Sequence, residues 1–211
     1  MRKALIILFL GLALVFPVKN AYSAGSGAFR LEVPDAEAMG KGSAFVAQAD
    51  NPSAVYYNPA GLSQLKGDAY VSVGTAVIKP LSTYKDSAGT ETDRRRETFV
   101  IPHTYFVNDF GLEKFTFGLG ATSYWGLGTY WAEDSFSKYV STQADYSTQD
   151  AMITGAYEIN ENISIGMGVD YASSYVNKKK KLLQPGDADG EFQLKAIDTN
   201  AWGYRLSTLY K

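Results

Sequence analysis

Several segments of the chain alternate between apolar residues and small or polar ones, and this period of two restricts the fold more than any other feature. In residues 162–175 one side holds Ile163, Ile165, Met167, Val169 and Tyr171, and the other holds Ser164, Gly166, Gly168 and Asp170. Because successive side chains of a β-strand point to opposite faces, the pattern predicts a strand with one apolar face. Similar patterns predict six strands, at 69–79, 97–107, 114–126, 146–159, 162–175 and 201–210.

The connections between these strands are long and short in turn. They run over 80–96, 108–114, 128–145, 160–162 and 178–190. Transmembrane β-barrels have long extracellular loops and short periplasmic turns, with apolar residues outside and polar residues inside. A soluble sandwich has no reason to keep this order. The sequence therefore predicts an all-β fold, a transmembrane antiparallel β-barrel.

Six strands are too few to close a membrane barrel, since the known range begins at about eight. An open edge would leave backbone groups without hydrogen-bond partners in hydrocarbon. The last predicted strand runs to Tyr210, one residue before the end of the sequence. We therefore expect the six strands to be part of a longer barrel, in a fragment or a truncated gene product.

The first 23 residues have the composition of a secretory signal peptide. A charged start precedes the apolar residues 4–16, and small residues at Ala21 and Ser23 suit cleavage before Ala24. The apolar run is shorter than the ~20 residues of a membrane-spanning helix, which argues against the alternative of an uncleaved anchor. We expect an exported mature protein that begins at Ala24.

Charge and cysteine content exclude several kinds of partner and site. Without residues 1–23 the chain has 17 basic and 22 acidic residues, a net charge of −5, which argues against a nucleic-acid partner. It contains no cysteine, so it forms neither disulfides nor thiolate metal sites. No cluster has metal-ligand spacing, and we expect no cofactor. Two classes remain, a soluble periplasmic β-protein and an outer-membrane β-barrel.

Two Asn-Pro pairs, Asn51-Pro52 and Asn58-Pro59, precede the first predicted strand. The side-chain oxygen of Asn caps a helix start, and Pro suits the first helical position. The pairs predict two short helices, near 53–57 and 60–65, with Gly67 as the C-cap of the second. Helices this short are unstable alone in water, so we expect them to form a small plug enclosed by the rest of the protein.

The stretch AMGKGSAFVAQADNPSAVYYNPAGLSQLKG, residues 38–67, closely resembles the N-terminal hatch of the FadL/TodX family of outer-membrane transporters, including its Asn58-Pro59-Ala60 motif. The resemblance implies a barrel of about fourteen strands, plugged by a hatch in residues 24–67, with about six N-terminal strands in residues 68–211. It implies passive uptake of hydrophobic compounds, such as long-chain fatty acids or aromatic hydrocarbons, and no enzymatic activity. Outer-membrane lipid, lipopolysaccharide and the barrel-assembly machinery are the other partners it implies.

The same resemblance implies a route for the ligand. In the family, the ligand is captured near the extracellular loops, reaches a lumenal pocket that touches the mature N-terminus, and leaves sideways at a kink in the third strand. Here the N-terminal segment runs from Ala24 to Phe29, whose residues are candidate ligand contacts. In the third strand, 114–126, Gly118 and Gly120 are candidate kink positions, because Gly weakens strand pairing. The alternative for both glycines is ordinary crowding in the lumen.

Three groups of charged residues have two interpretations each. Periodicity places Arg205 on the lumenal face, where it either holds a carboxylate headgroup or pairs with an acid such as Asp170 or Glu158. Lys178–Lys181, expected in the third long loop, and Arg94–Arg96, at the end of the first, are either solvated or attract anionic ligands and lipopolysaccharide phosphates.

His103 is the one histidine of the sequence. A hydrolase, such as an outer-membrane phospholipase, would need it beside a nucleophile, but no Ser lies in a nucleophile motif, so we expect no catalytic residue. Two further functions remain as alternatives to transport. One is a non-specific or structural outer-membrane barrel that the hatch merely closes, and the other is a soluble periplasmic lipid-binding β-protein.

Overall fold

The computed structural model describes residues 30–31, 34–186 and 188–211. The predicted signal peptide and the segment from Ala24 to Phe29 lie outside the described residues. Within the described ranges, no helix has both the length and the apolar character that crossing a membrane requires.

Antiparallel strands form most of the described chain. In chain order they are β1 (Tyr70–Ile78), β2 (Thr83–Lys85), β3 (Glu91–Asp93), β4 (Phe99–Asn108), β5 (Phe115–Thr122), β6 (Gly126–Tyr130), β7 (Gln143–Asn160), β8 (Ile163–Leu182) and β9 (Gly190–Tyr210). The main sheet has the order β1-β4-β5-β7-β8-β9, and β6 also pairs with β7. The strands β2 and β3 form a separate hairpin in the long loop after β1.

The strands β5 and β6 are two parts of one interrupted strand, because both pair with β7 and only residues 123–125 separate them. The main sheet therefore crosses the molecule six times, which confirms the six predicted strands and their order. β7, β8 and β9 have 18, 20 and 21 residues. Since about nine to eleven residues cross a membrane, these three strands continue beyond it.

The predicted loop position of Lys178–Lys181 is wrong. All four lysines lie in β8 and pair with residues of β9. Their run of like charges shows no alternation in hydrophobicity, so the pattern that predicts a half-buried strand is missing where the strand leaves the membrane. The backbone pairing nevertheless continues, and the third long connection shrinks to residues 183–189.

The two faces of the sheet have the reverse of the polarity found in a water-soluble protein. Outward side chains are apolar and exposed, as Val73 on β1 (75%) and Leu206 on β9 (86%) illustrate. On the inward face the buried residues include Thr116, Thr154 and Ser164. An apolar outer face and a polar inner face are what a wall between lipid and a lumen requires.

Residues 34–67 of the hatch pack against the inward face. Their elements are α1 (Ala36–Gly40), α2 (Ala54–Tyr57) and a 3-10 helix (Pro59–Gln64). The 3-10 helix contacts β5, β7, β8 and β9, and the buried cluster between hatch and wall includes Val55, Leu62, Tyr105, Val107 and Met152. This enclosure explains how such short helices persist.

Both predicted hatch helices are present, but the predicted cap of the first is wrong: its N-cap is Ser53, which makes no capping bond, whereas Asn58 caps the second as predicted. Two further differences concern α1 and Gly67. The helix α1 was not predicted; Asp35 caps it by accepting the N–H of Ala38 at 2.8 Å. Gly67 is not a C-cap, because the 3-10 helix already ends at Gln64. Gly67 instead donates its N–H to Asp109 Oδ2 at 2.7 Å, in the short turn after β4. This bond and the N–H of Gly111 hold the pKa of Asp109 below its usual value.

If the outward face contacts hydrocarbon, Leu206→Arg should lower the free energy of unfolding in lipid vesicles by about 2–4 kcal/mol, because it puts a charge near the bilayer centre. Urea titration of the full-length protein in vesicles measures this. Ile197→Arg is the matched control, since Ile197 lies on the same strand, 70% exposed, beyond the expected membrane span. Its cost should stay within about 0.5 kcal/mol. Equal small effects at both positions would contradict the lipid-facing assignment.

Candidate ligand route at the hatch and the interrupted strand

Asn58 fastens the hatch to itself and to the wall. Its Oδ1 accepts the N–H of Ala60 at 3.1 Å, which caps the 3-10 helix. Its Nδ2 donates to the carbonyl of Val46 at 2.9 Å and to that of Thr208 on β9 at 3.3 Å. One side chain thus satisfies a helix start, a hatch loop and a strand, which gives a physical reason for Asn at this position.

Ala60 continues the attachment to the wall. Its N–H donates to Ser207 Oγ at 2.9 Å, and its carbonyl accepts from Ser164 Oγ at 2.9 Å. The backbone of Pro59 and Ala60 lies so close to Gly166 of β8 that a Cβ atom there would collide with it. The Asn58-Pro59-Ala60 segment is therefore held by polar groups of β8 and β9 and by the absence of a side chain at Gly166.

Gly118 and Gly120 are not at the interruption, so the predicted kink position is wrong. Both lie in a continuous ladder, paired with β4 on one side and β7 on the other. A Cβ atom would approach Val55 of α2 to 2.5 Å at Gly118 and to 2.9 Å at Gly120. The alternative interpretation, crowding in the lumen, accounts for both glycines, because their missing side chains make room for the hatch.

The interruption lies at Ser123–Trp125. The register with β7 runs to Thr122↔Asp150 and resumes at Gly126↔Ser147, so three residues face two. On the other side, the pairing of β4 with β5 reaches no further than Ala121. Among the described strands β6 pairs only with β7. Residues 99–103 of β4 therefore form no ladder with β6.

Side chains of β7 replace the ladder partners at the interruption. The N–H of Tyr124 donates to Asp150 Oδ2 at 3.1 Å, and the N–H of Trp125 donates to Thr148 Oγ1 at 3.2 Å. The two side chains also bond to each other, with Thr148 Oγ1 donating to Asp150 Oδ2 at 2.6 Å. The residues 123–125 are thus held away from the regular ladder without leaving these backbone donors unsatisfied.

The start of the described chain covers the interruption. The N–H of Leu31 donates to the carbonyl of Tyr124 at 2.7 Å, and Arg30 forms an isolated antiparallel bridge with Trp125. The side chain of Leu31 also lies against Gly126. The predicted ligand contacts Ala24 and Phe29 lie just before this segment, outside the described residues.

Phe99 and Arg94 fill the space between the start of β4 and β6. The Phe99 ring lies directly over Gly128, where a Cβ atom would collide with it. The Arg94 guanidinium donates to the carbonyl of Gly128, and the residue is only 7% exposed. Arg94 is therefore a buried contact of the interrupted strand rather than a solvated loop residue.

Arg205 lies on the inward face, as predicted, and pairs with Asp170 at 2.7 Å between Nε and Oδ2. Glu158, the other acid considered for it, pairs with Lys66 at the hatch exit. Tyr124, which lies near a strand end in the sequence, is not a lipid-interface residue, because it packs in the buried cluster of the lumen and bonds to Arg205.

In the described residues, neither His103 nor the run Lys178–Lys181 belongs to a metal-binding or catalytic cluster. His103 is buried beside Tyr105, and its Nδ1 has no hydrogen-bond partner in the described chain. No group of three His, Asp or Glu side chains is placed to hold a metal ion there. Lys181 pairs with Glu133 at 2.9 Å, which lowers the pKa of that carboxyl, so part of the lysine run is neutralised.

Aromatic residues from two long loops meet beyond the membrane span. Tyr84 of β2 stacks on Phe136 with ring centroids 3.7 Å apart, and Trp131 packs edge-on against Phe136 at 5.1 Å. Tyr84 and Phe136 are each 40% or more exposed. The cluster presents apolar surface to the solvent at the extracellular end.

The inverted sheet with its lumenal hatch defines a segment of an outer-membrane β-barrel. The family model described as "Outer membrane protein transport protein (OMPP1/FadL/TodX)" matches residues 18–211. The chain belongs to this family, and the family places it in the outer membrane. The soluble periplasmic alternative is therefore wrong.

Similar proteins agree with this assignment. Outer membrane protein P1 of Haemophilus influenzae is 24% identical in an alignment 205 positions long, which covers 86% of this chain and 44% of that protein. The long-chain fatty acid transport protein of Salmonella typhi is 26% identical, over 92% of this chain and 48% of its own length. The chain spans about half the length of these relatives.

Two solved structures share the fold. The toluene transporter TodX of Pseudomonas putida has a TM-score of 0.59 and 20% identity, over 76% of this chain and 48% of its own. The toluene transporter TbuX of Ralstonia pickettii has a TM-score of 0.57 and 23% identity, over 76% and 49%. At this identity the two structures support the fold of the sheet and hatch.

Asn58→Ala should loosen the hatch, because it removes a helix cap worth about 1 kcal/mol and the bonds to Val46 and Thr208. Leak of small solutes through the full-length protein in liposomes should rise. Asn51→Ala is the control, since the Asn51 side chain bonds to Ser53 and Glu37 within the hatch. A leak that is the same for both variants would show that the wall contacts of Asn58 are unimportant.

Gly118→Val should displace the hatch, because the new side chain would overlap Val55. Overpacking of this kind lowers the free energy of unfolding by about 1–3 kcal/mol. Gly155→Val is the control: Gly155 lies on the outward face, and a Cβ atom there meets nothing closer than 3.8 Å. Urea titration and protease protection of the hatch compare the two. Equal tolerance of both changes would refute the close approach at Gly118.

Proposed function

We propose that the protein carries hydrophobic compounds passively across the outer membrane, and that long-chain fatty acids or aromatic hydrocarbons are the substrate class. Its family is one of transport proteins, and relatives named as transporters of fatty acids or toluene support the class. The step needs no covalent chemistry or cofactor, because burial of apolar surface supplies about 25 cal/mol per Å². We therefore propose no enzymatic activity.

The interruption at Ser123–Trp125 carries this proposal. Irregular backbone at membrane depth is tolerated only where protein or a cavity satisfies its polar groups. Here Asp150, Thr148 and Leu31 supply the partners, so the break is built into the wall. Beside this break, residues 99–103 of β4 pair with β1 but have no strand partner on the side toward β6, so an apolar ligand can leave the lumen sideways into the membrane there.

The proposed route has three stages. The exposed aromatic cluster of Tyr84, Trp131 and Phe136 captures the ligand at the extracellular end. The ligand then moves into the lumen, where Ala24 and Phe29 are the proposed ligand contacts. It leaves past the interruption when Arg30 and Leu31 move away from Trp125 and Tyr124.

We propose three segments for the chain. Residues 1–23 act as a cleaved signal peptide, residues 24–67 as the hatch and residues 68–211 as barrel strands. Insertion uses the barrel-assembly machinery, and the outward face then contacts outer-membrane lipid and lipopolysaccharide.

A reversible cross-link tests the route. Arg30 and Trp125 form an antiparallel bridge, so their Cα atoms are about 4.5–5.5 Å apart, a separation that a disulfide spans. In Arg30→Cys/Trp125→Cys the oxidised protein should lose uptake of radiolabelled oleate or toluene, and a reductant should restore it. Binding of the same compounds at the cell surface should persist. Each single-cysteine variant is a control in the otherwise cysteine-free chain.

Two results would contradict the proposal in different ways. Full uptake in the oxidised double variant would exclude exit past the interruption. Equal uptake by cells with the wild-type protein and by cells without it, for both compounds, would favour the alternative of a structural barrel that the hatch merely closes.

A further inference from the structure

Arg205 joins three separate parts of the molecule. From β9 its Nε donates to Asp170 on β8, its Nη1 donates to carbonyl groups of the hatch, and its Nη2 donates to the Tyr124 hydroxyl at 2.6 Å. Arg has five N–H donors in a rigid planar fork, and these bonds use four of them. The guanidinium group is therefore bonded at once to β8, to the hatch and to the interruption.

On the hatch side, Arg205 completes the end of α2. This helix has only four residues, so its last carbonyl groups have no following turn to bond to. Arg205 Nη1 donates to the carbonyl of Val55 at 3.2 Å and to that of Tyr56. The guanidinium also lies 5.3 Å from the centroid of the Tyr56 ring. One guanidinium group thus helps to hold the C-terminal end of α2.

On the strand side, Arg205 holds Tyr124 in the middle of the interruption. The guanidinium lies 5.4 Å from the centroid of the Tyr124 ring, and the Tyr56 and Tyr124 rings are 4.7 Å apart. The backbone of Tyr124 is bonded to Asp150 and Leu31. A shift of Tyr124 would therefore strain its bond to Arg205, and through the rigid fork the bonds to the hatch.

We propose that Arg205 is a positioning residue that couples the hatch to the interruption, so that opening at one site favours opening at the other. The ion pair with Asp170 anchors the fork, and the two carbonyl groups and the Tyr124 hydroxyl share it. The inference concerns contacts within the protein and does not depend on which compound crosses the membrane.

Thiol labelling in outer membranes of cells that express the full-length protein tests the coupling. Leu62→Cys reports on the hatch, because Leu62 is fully buried in the 3-10 helix, and Thr122→Cys reports on the interruption, because Thr122 is the last residue of β5 and is buried. Labelling of a buried thiol requires local opening. Tyr124→Phe, which removes a single oxygen atom, should accelerate labelling at the hatch reporter about fivefold, the lower end of typical coupling. Arg205→Lys should accelerate labelling at both reporters.

Ser207→Ala is the matched control. Ser207 lies two residues along the same face of β9 and bonds to the hatch at Ala60, but the Arg205 bond to Tyr124 is left intact. Because the fork is intact, it should accelerate labelling at the hatch reporter and, through the coupling, at the interruption reporter as well. In Ser207→Ala/Tyr124→Phe, which lacks the bond to Arg205, this second response should be lost. The proposal is overturned if Tyr124→Phe changes hatch labelling less than about twofold, or if Ser207→Ala opens the hatch but leaves labelling at the interruption unchanged.

Discussion

A backbone N–H or C=O group inside the hydrocarbon layer must find its hydrogen-bond partner within the protein. Regular pairing among the strands meets this demand over most of the sheet. At Ser123–Trp125 the regular register stops. The side chains of Asp150 and Thr148 accept the N–H groups of Tyr124 and Trp125, and the N–H groups of Leu31 and Thr148 donate to the carbonyls of the same two residues. The break in the wall is therefore an ordered feature, available for a lateral exit.

The same lumen must also hold helices too short to be stable alone. Small inward residues let the hatch backbone approach the wall, as Gly166 does for Ala60. Polar inward residues then bond to it, as Ser207 and Ser164 illustrate. The inner face thus supplies hydrogen-bond partners for the backbone of the hatch, and the hatch buries inward side chains of the wall.

Period-two alternation predicted the six strands, because it is produced by a wall with lipid on one side. It fails at Lys178–Lys181, where β8 has left the membrane and no longer needs an apolar face. The Asn58-Pro59 pair predicted the second hatch helix because capping is local, whereas the first helix has Ser53 rather than Asn51 as its N-cap. The sequence could not locate the interruption, since its partners Thr148 and Asp150 lie more than 20 residues further along the chain. Its one signal was that these two polar residues, two positions apart, fall on the inward face of the same strand.

The central claim, that the inverted sheet separates lipid from a lumen, is tested most directly by spin labels at single cysteines along residues 201–208 of the full-length protein in liposomes. Collision rates with oxygen, which concentrates in lipid, and with a water-soluble nickel complex are compared at each position. The structure predicts high oxygen collision at the even positions, including Trp202, Tyr204 and Leu206, and low values at Gly203, Arg205 and Ser207. Oxygen collision that does not alternate, or that is highest at the odd positions, would contradict the account.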